Sequence, residues 1–151
     1  MLNRVSTPCI GVCSTGLGDG VCRGCKRFAH EVIDWNAYSE QQRRVIEARL
    51  SGYLRDAARQ FFVVADVNRL RQQLEHQGVR FKPHQDPHCW VFDLLRAGAN
   101  QVTDLDDYGL QLTARGQGVS LAELRKEIDE AFYAVSAAYY QRYVAPGLEP
   151  V

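Results

Sequence analysis

No stretch of this chain approaches the ~20 consecutive apolar residues that cross a bilayer, and residues 1–8 lack the apolar core of a secretory signal. Neither a membrane span nor export is indicated, and a soluble, cytoplasmic protein is expected. Excess charge is missing as well. The 18 Lys and Arg balance 18 Asp and Glu, so the strongly basic face that DNA binding usually requires is not indicated, and DNA is not expected as a partner. Residues 1–59 carry nine basic against six acidic side chains, and the remainder nine against twelve; this asymmetry is too weak to define a partner. Lysine is scarce, three against fifteen arginines. Guanidinium groups suit phosphate and carboxylate recognition, although a GC-rich genome gives the same bias. The chain has no G-x-S-x-G, phosphate loop, dinucleotide fingerprint or paired carboxylates, so no motif identifies an enzyme.

Cysteine is sparse except in one place. Four of the five fall within residues 9–25, as Cys9, Cys13, Cys22 and Cys25 in the spacing C-x3-C-x8-C-x2-C. Without an export signal two disulfides are disfavoured, and four clustered thiols read as one metal site in a reducing compartment. Thiolates are soft ligands, which narrows the metal to Zn2+ or an iron-sulfur cluster. In Cys22-Arg23-Gly24-Cys25 the two-residue gap lets both sulfurs face one ion. Gly24 frees the backbone for that turn. A helix expected to start at Cys25 would add N–H groups that favour thiolate charge. The three-residue gap between Cys9 and Cys13 is less usual for a zinc knuckle and keeps the iron-sulfur assignment open beside a lean to zinc. A redox dithiol at Cys22 and Cys25 is the competing reading, weakened because no buried strand precedes Cys22.

Glycine crowds the same segment (Gly11, Gly16, Gly18, Gly20, Gly24) without hydrophobic periodicity, so metal ligation, not a core, would shape it. Phe28, Val32 and Trp35 then mark one face of a short helix stopping near Asn36. Ser39 and Gln42 form a capping box for a second helix to about Arg59, with an apolar stripe Ile46, Leu50, Tyr53, Leu54, Ala57 and Phe61. Arg43, Glu47, Ser51 and Arg55 share another face, read as solvated. Phe61 to Val64 is of strand type. Asp66 caps a helix bearing Val67, Leu70 and Leu74, which stops at Gly78. Further strands are expected at Val79 to Lys82 and Tyr108 to Ala114, while Cys89 to Leu95 fits strand or helix and is read as a strand from Trp90-Val91-Phe92 and the flanking Pro87 and Gly98. Ser120 and Glu123 open a last helix to about Val144 along Leu121, Leu124, Ile128, Phe132, Val135 and Tyr139, followed by a loose tail with Pro146, Gly147 and Pro150.

Three lesser constellations have structural readings. His84, Asp86, His88 and Cys89 lie in one short segment and could hold a second metal or an acid-base pair, but flanking Pro83 and Pro87 mark an exposed turn. Asp104, Asp106 and Asp107 before Gly109 lack the ligand spacing of a calcium loop and read as a turn. Tyr133, Tyr139, Tyr140 and Tyr143 could stack bases, yet aromatics on a helix more often serve packing.

Pro8-Cys9-Ile10-Gly11-Val12-Cys13, Cys22-Arg23-Gly24-Cys25-Lys26-Arg27, Glu31-Val32-Ile33-Asp34-Trp35 and Arg43-Arg44 together resemble a bacterial four-cysteine family, domain of unknown function 1289, over about residues 6–54. Phe28-Ala29 departs from the Thr- or Ser-containing pair expected there. The resemblance implies a predicted iron-sulfur protein and carries no established activity. The expected fold is α+β: a four-Cys knuckle with two helices over residues 1–59, docked through Trp35 and the second helix, then a small α+β domain over 60–151 with about four short strands and a long C-terminal helix. The expected role is a non-enzymatic accessory protein with a structural metal that binds a protein or RNA partner, the alternative being an iron-sulfur or dithiol electron-transfer protein.

Overall fold

The computed structural model describes residues 5–11 and 13–148. The described chain is mostly helical with one two-stranded antiparallel sheet, α+β in the broad sense. Two compact units are formed. The first is discontinuous in sequence, taking the residues up to Tyr53 together with those from Phe132 onward; the second runs from Leu54 to Ala131.

The first unit opens with a 3-10 turn at Ser14–Leu17 and continues with α1 (Ala29–Asp34), which runs into another 3-10 turn at Trp35–Ala37. Helix α2 (Glu40–Arg59) starts on the expected capping box: Ser39 Oγ accepts from the Gln42 N–H at 3.1 Å, and Gln42 Oε1 accepts from the Ser39 N–H at 2.8 Å. Ile46 and Leu50 of α2 are buried, as are Phe28 and Trp35. The first unit also holds the end of α5 (Leu121–Tyr139), a π-helical turn at Tyr140–Val144 and α6 (Ala145–Leu148). Pro146 and Gly147 therefore lie in a helical turn, not in a loose tail, while Pro150 lies outside the described residues.

In the second unit β1 (Phe62–Val64) pairs antiparallel with β2 (Leu110–Leu112), in the register Phe62 with Leu112 and Val64 with Leu110. Between them lie α3 (Val67–His76) and α4 (Pro87–Gly98). Asp66 caps α3 by accepting from the Arg69 N–H at 3.1 Å, and Gly78 takes a left-handed φ of 69° beyond its end. Gly109 has φ 65°, and its carbonyl accepts from both Ala65 and Asp66, tying the end of β1 to the start of β2. The core gathers Leu70, Leu74, Val91, Leu94, Leu95, Leu110, Leu124 and Ile128, all nearly inaccessible.

Two of the four expected strands are not strands. Cys89 to Leu95 is the middle of α4, with Cys89, Trp90, Val91, Phe92, Leu94 and Leu95 all buried. A helix covered on nearly every side loses the 3.6-residue alternation that would announce it, so its apolar run imitates a strand. The local signal lay just upstream, in Asp86 as N-cap and Pro87 at the first helical position. Val79 to Lys82 pairs with no strand either. The Val79 N–H caps α3 at Leu74 O, and the Lys82 carbonyl accepts from Trp90 Nε1 at 2.8 Å, so backbone groups a ladder would use are bonded elsewhere.

Candidate functional site

The turn at Cys22 to Cys25 is closed by backbone bonds on both sides. Lys26 N–H donates to Cys22 O at 2.7 Å, Cys22 N–H donates to Arg27 O at 2.9 Å, and Val21 bridges Phe28 antiparallel. Inside this loop the two buried thiols lie within hydrogen-bonding contact of one another. Backbone N–H groups of Cys25, Ser14 and Gly24 all point at Cys22 Sγ. Burial disfavours thiolate charge there, but these donors and the Cys25 thiol outweigh it and bring the Cys22 thiol down to about 7. The Cys25 thiol is held above its usual value by burial. It nevertheless receives Arg27, whose Nε–H donates to Cys25 Sγ at 3.3 Å.

Two buried cations back this turn. Arg27 is 3% exposed, and its guanidinium lies over the Trp35 ring at 4.9 Å. Lys26, 2% exposed, adopts a left-handed φ of 66° and folds back over the turn, its Nζ donating to Arg23 O at 2.6 Å and to Gly24 O at 3.1 Å. Around them Glu31 forms a two-pronged ion pair with Arg49 at 2.6 and 2.7 Å, and Arg49 lies over the Phe28 ring at 4.1 Å. Glu31 Oε1 also accepts the Phe28 N–H at 2.9 Å, which fixes the entry into α1. The tyrosines of the C-terminal segment pack against the same ring: Tyr139 stacks on Phe28 at 5.8 Å and Tyr140 approaches it at 5.6 Å, while Arg23 covers Tyr133 at 4.5 Å.

The structure brings Cys22 and Cys25 together and leaves Cys9 and Cys13 exposed. Among the described residues no three His, Cys, Asp or Glu side chains converge as a cage. The arm carrying Cys13 is nonetheless anchored to the turn. Ser14 is buried, gives its N–H to Cys22 Sγ and accepts the Arg23 N–H on its hydroxyl at 2.8 Å. One expectation is corrected: Cys25 does not start a helix. Helix α1 begins at Ala29, after left-handed Lys26 and extended Phe28, so the thiols take their donors from the turn itself and from Arg27.

Sequence reasoning passed over Lys26, Arg27, Arg49 and Glu31 as parts of this site. Only Lys26-Arg27 directly after C-x-x-C carried a local signal; the Arg49–Glu31 pair spans 18 residues and is visible only in three dimensions. Arg43, expected on a solvated face, instead reaches Trp35 O at 3.0 Å.

The other constellations are structural. Asp86 caps α4 by accepting the His88 N–H at 2.8 Å and also takes His88 Nδ1 at 3.0 Å, while Nε2 faces Phe62 O at 3.2 Å; neither ring nitrogen is directed at an open site. Cys89 is fully buried, and burial, with Asp86 and Asp93 nearby, pushes its thiol up to about 12. Asp104, Asp106 and Asp107 form a capped 3-10 turn ending at Gly109.

Residues 7–53 match the family described as a protein of unknown function, DUF1289. The matched span covers the four cysteines, α1 and the first-unit part of α2, and carries no assigned activity. No curated protein and no solved structure matches the chain. No helix among the described residues is long and apolar enough to cross a membrane.

Proposed function

We propose that the DUF1289 segment is a metal-binding module in which Cys9, Cys13, Cys22 and Cys25 hold one Zn2+ ion or one iron-sulfur cluster. The observation that carries this reading is the Cys22–Cys25 turn, where two adjacent buried thiols face N–H donors from Ser14, Gly24, Cys25 and Arg27. Such donors favour sulfur in the ligating, deprotonated form, and a buried thiolate pair needs a cation to offset its charge. Ser14 supports the inclusion of Cys13, because its bonds bring that arm to the turn. The bound metal would supply folding energy to a glycine-rich segment with almost no core of its own. Cys22 and Cys25 would form the structured half of the site, and exposed Cys9 and Cys13 the half that closes on it.

On this reading the protein is an accessory factor whose metal is structural and whose partner is a protein or an RNA. Anaerobic purification followed by metal analysis and an absorption spectrum tests the centre. A colourless protein with one zinc per chain identifies the zinc form, and brown protein with visible absorbance the iron-sulfur form. Metal-free protein whose four cysteines all react as ordinary thiols refutes the module. RNA as partner requires affinity that falls steeply with salt.

The dithiol redox alternative draws on the contact between Cys22 and Cys25 and on their unequal thiols. It lacks the helix N-terminus that usually activates a C-x-x-C pair, since α1 begins four residues after Cys25. Reversible Cys22–Cys25 disulfide formation in a metal-free chain would favour it over ligation.

A further inference from the structure

We infer that Lys26 is a positioning residue for the metal proposed above, holding the two peptide groups of the Cys22–Cys25 turn so that their N–H ends stay aimed at Cys22 Sγ. The inference rests on that metal reading and adds a role for a residue that is not a ligand.

The group joining Arg23 to Gly24 carries Arg23 O at one end and the Gly24 N–H at the other; the next carries Gly24 O and the Cys25 N–H. Both N–H groups bond Cys22 Sγ. Both oxygens bond Lys26 Nζ, at 2.6 and 3.1 Å. A peptide unit is rigid and planar, so fixing its oxygen fixes the direction of its N–H. One ammonium therefore orients two sulfur donors without touching the sulfur.

The backbone of Lys26 points the same way. Its φ of 66° lies in the left-handed region, where a non-glycine residue is disfavoured. Glycine would fit that conformation without strain, yet a long cationic side chain occupies it, turned inward and 2% exposed. Its Nζ also lies 5.3 Å from the centre of the Phe132 ring, which covers the ammonium. Conformational strain is thus accepted at a position from which the side chain reaches both oxygens. Arg27 complements it by donating directly to Cys25 Sγ, so each sulfur of the pair is served by one of two consecutive cations. Residues that orient metal ligands from behind typically change metal affinity by about 10–100-fold when removed.

Two variants of the full chain separate positioning from mere structure. Lys26→Gly removes the ammonium while relieving the backbone, and Lys26→Met removes the ammonium while keeping length and strain. Zn2+ affinity is read by competition with a chromophoric chelator, Co2+ binding by its thiolate absorption, and hydrogen exchange at the Gly24 and Cys25 amides in Zn2+-loaded protein. Both variants should bind Zn2+ at least ~10-fold more weakly, with faster exchange at those two amides, while metal-free Lys26→Gly is no less stable than the parent. Affinities within ~2-fold of the parent in both variants, against the ~10–100-fold expected of a residue that orients a ligand, overturn the inference. So does weakening in Lys26→Met alone, which would trace to strain, and so does weakened binding with unchanged amide exchange. A parent chain that takes up neither Zn2+ nor Co2+ overturns the metal reading and this inference together. A parent that binds while its variants bind equally well overturns the inference only.

Discussion

Replacing Arg49 by methionine should be among the most damaging single changes in the first unit. Its guanidinium meets both Glu31 oxygens at 2.6 and 2.7 Å, with the two side chains only 19% and 7% exposed. It also covers the Phe28 ring at 4.1 Å. Removing one partner of a buried pair costs about 3–5 kcal/mol, because the remaining charge stays desolvated without compensation. Loss of the cation–π contact adds roughly 1 kcal/mol, and the methionine recovers part of the packing. One term reduces the loss further: Arg49 Nε is already buried without a hydrogen-bond partner, so the native pair carries its own unsatisfied donor. The net expectation is a destabilisation of about 3 kcal/mol.

A double-mutant cycle isolates the pair. Glu31→Gln keeps an oxygen for the Phe28 N–H, now 2.9 Å from Glu31 Oε1, while deleting the charge. In the double variant no buried charge is left alone, so it should be less destabilised than the sum of the single changes, with a coupling of about 2 kcal/mol. Urea unfolding at fixed metal content measures it. The chain has two tryptophans, Trp35 in the first unit and Trp90 in the second, so Trp35 emission in a Trp90→Phe background reports the first unit. Additive single effects, or an Arg49→Met cost below ~0.5 kcal/mol, would show that solvent already screens the pair and refute the reasoning.

Other perturbations have equally definite expectations. Gly109→Ala forces a side chain onto φ 65° with its Cβ 2.5 Å from Asp66 O, and should cost at least ~2 kcal/mol in urea unfolding followed by Trp90 emission. Burial raises the Asp93 carboxyl to about 6 despite Arg96 and Lys82. The folded state then binds more protons than the unfolded one between the ordinary carboxylate value near ~4 and about 6, so stability falls as pH rises through that window. Asp93→Asn should accordingly gain up to ~2 kcal/mol over the parent above that window and little near pH ~4 in a pH series of thermal unfolding. Burial works against the Asp86 carboxylate, but the His88 N–H, its ring and Arg59 outweigh it and hold the carboxyl below its usual range. Its contribution is therefore present above the unfolded value and lost on acidification; Asp86→Ala should cost ~1–2 kcal/mol at neutral pH, and Asp86→Asn, which still caps α4, much less. Chelation or Cys25→Ala should unfold residues 9–35, read by Trp35, while Trp90 emission stays native; simultaneous loss of both signals would contradict a metal role confined to the module.

What could be read ahead of the structure divides by the range of the interaction. Ser39 with Gln42, Asp66 before α3 and Gly78 after it are signals within one turn of chain, and each does what its chemistry requires. The same local logic located Cys22-Arg23-Gly24-Cys25, because a two-residue gap is itself a geometric statement. It failed at α4, where burial on nearly all sides erased the periodicity, and at Val79 to Lys82, whose carbonyl at Lys82 is claimed by Trp90 Nε1. It failed again at the site, for a more instructive reason. Arg49 lay within the α2 pattern as one more charge on a helix, and nothing in its neighbours indicates that it closes on Glu31 across 18 residues. Lys26 is the intermediate case. Its place after C-x-x-C was visible, but its importance comes from a left-handed backbone and two carbonyl contacts that no residue pattern encodes. The place of the cysteine turn is thus a property of spacing, whereas the cations packed behind it, Lys26 and Arg27, are a property of the fold. A family resemblance defined by cysteines carries the first and leaves the second to be found in each chain.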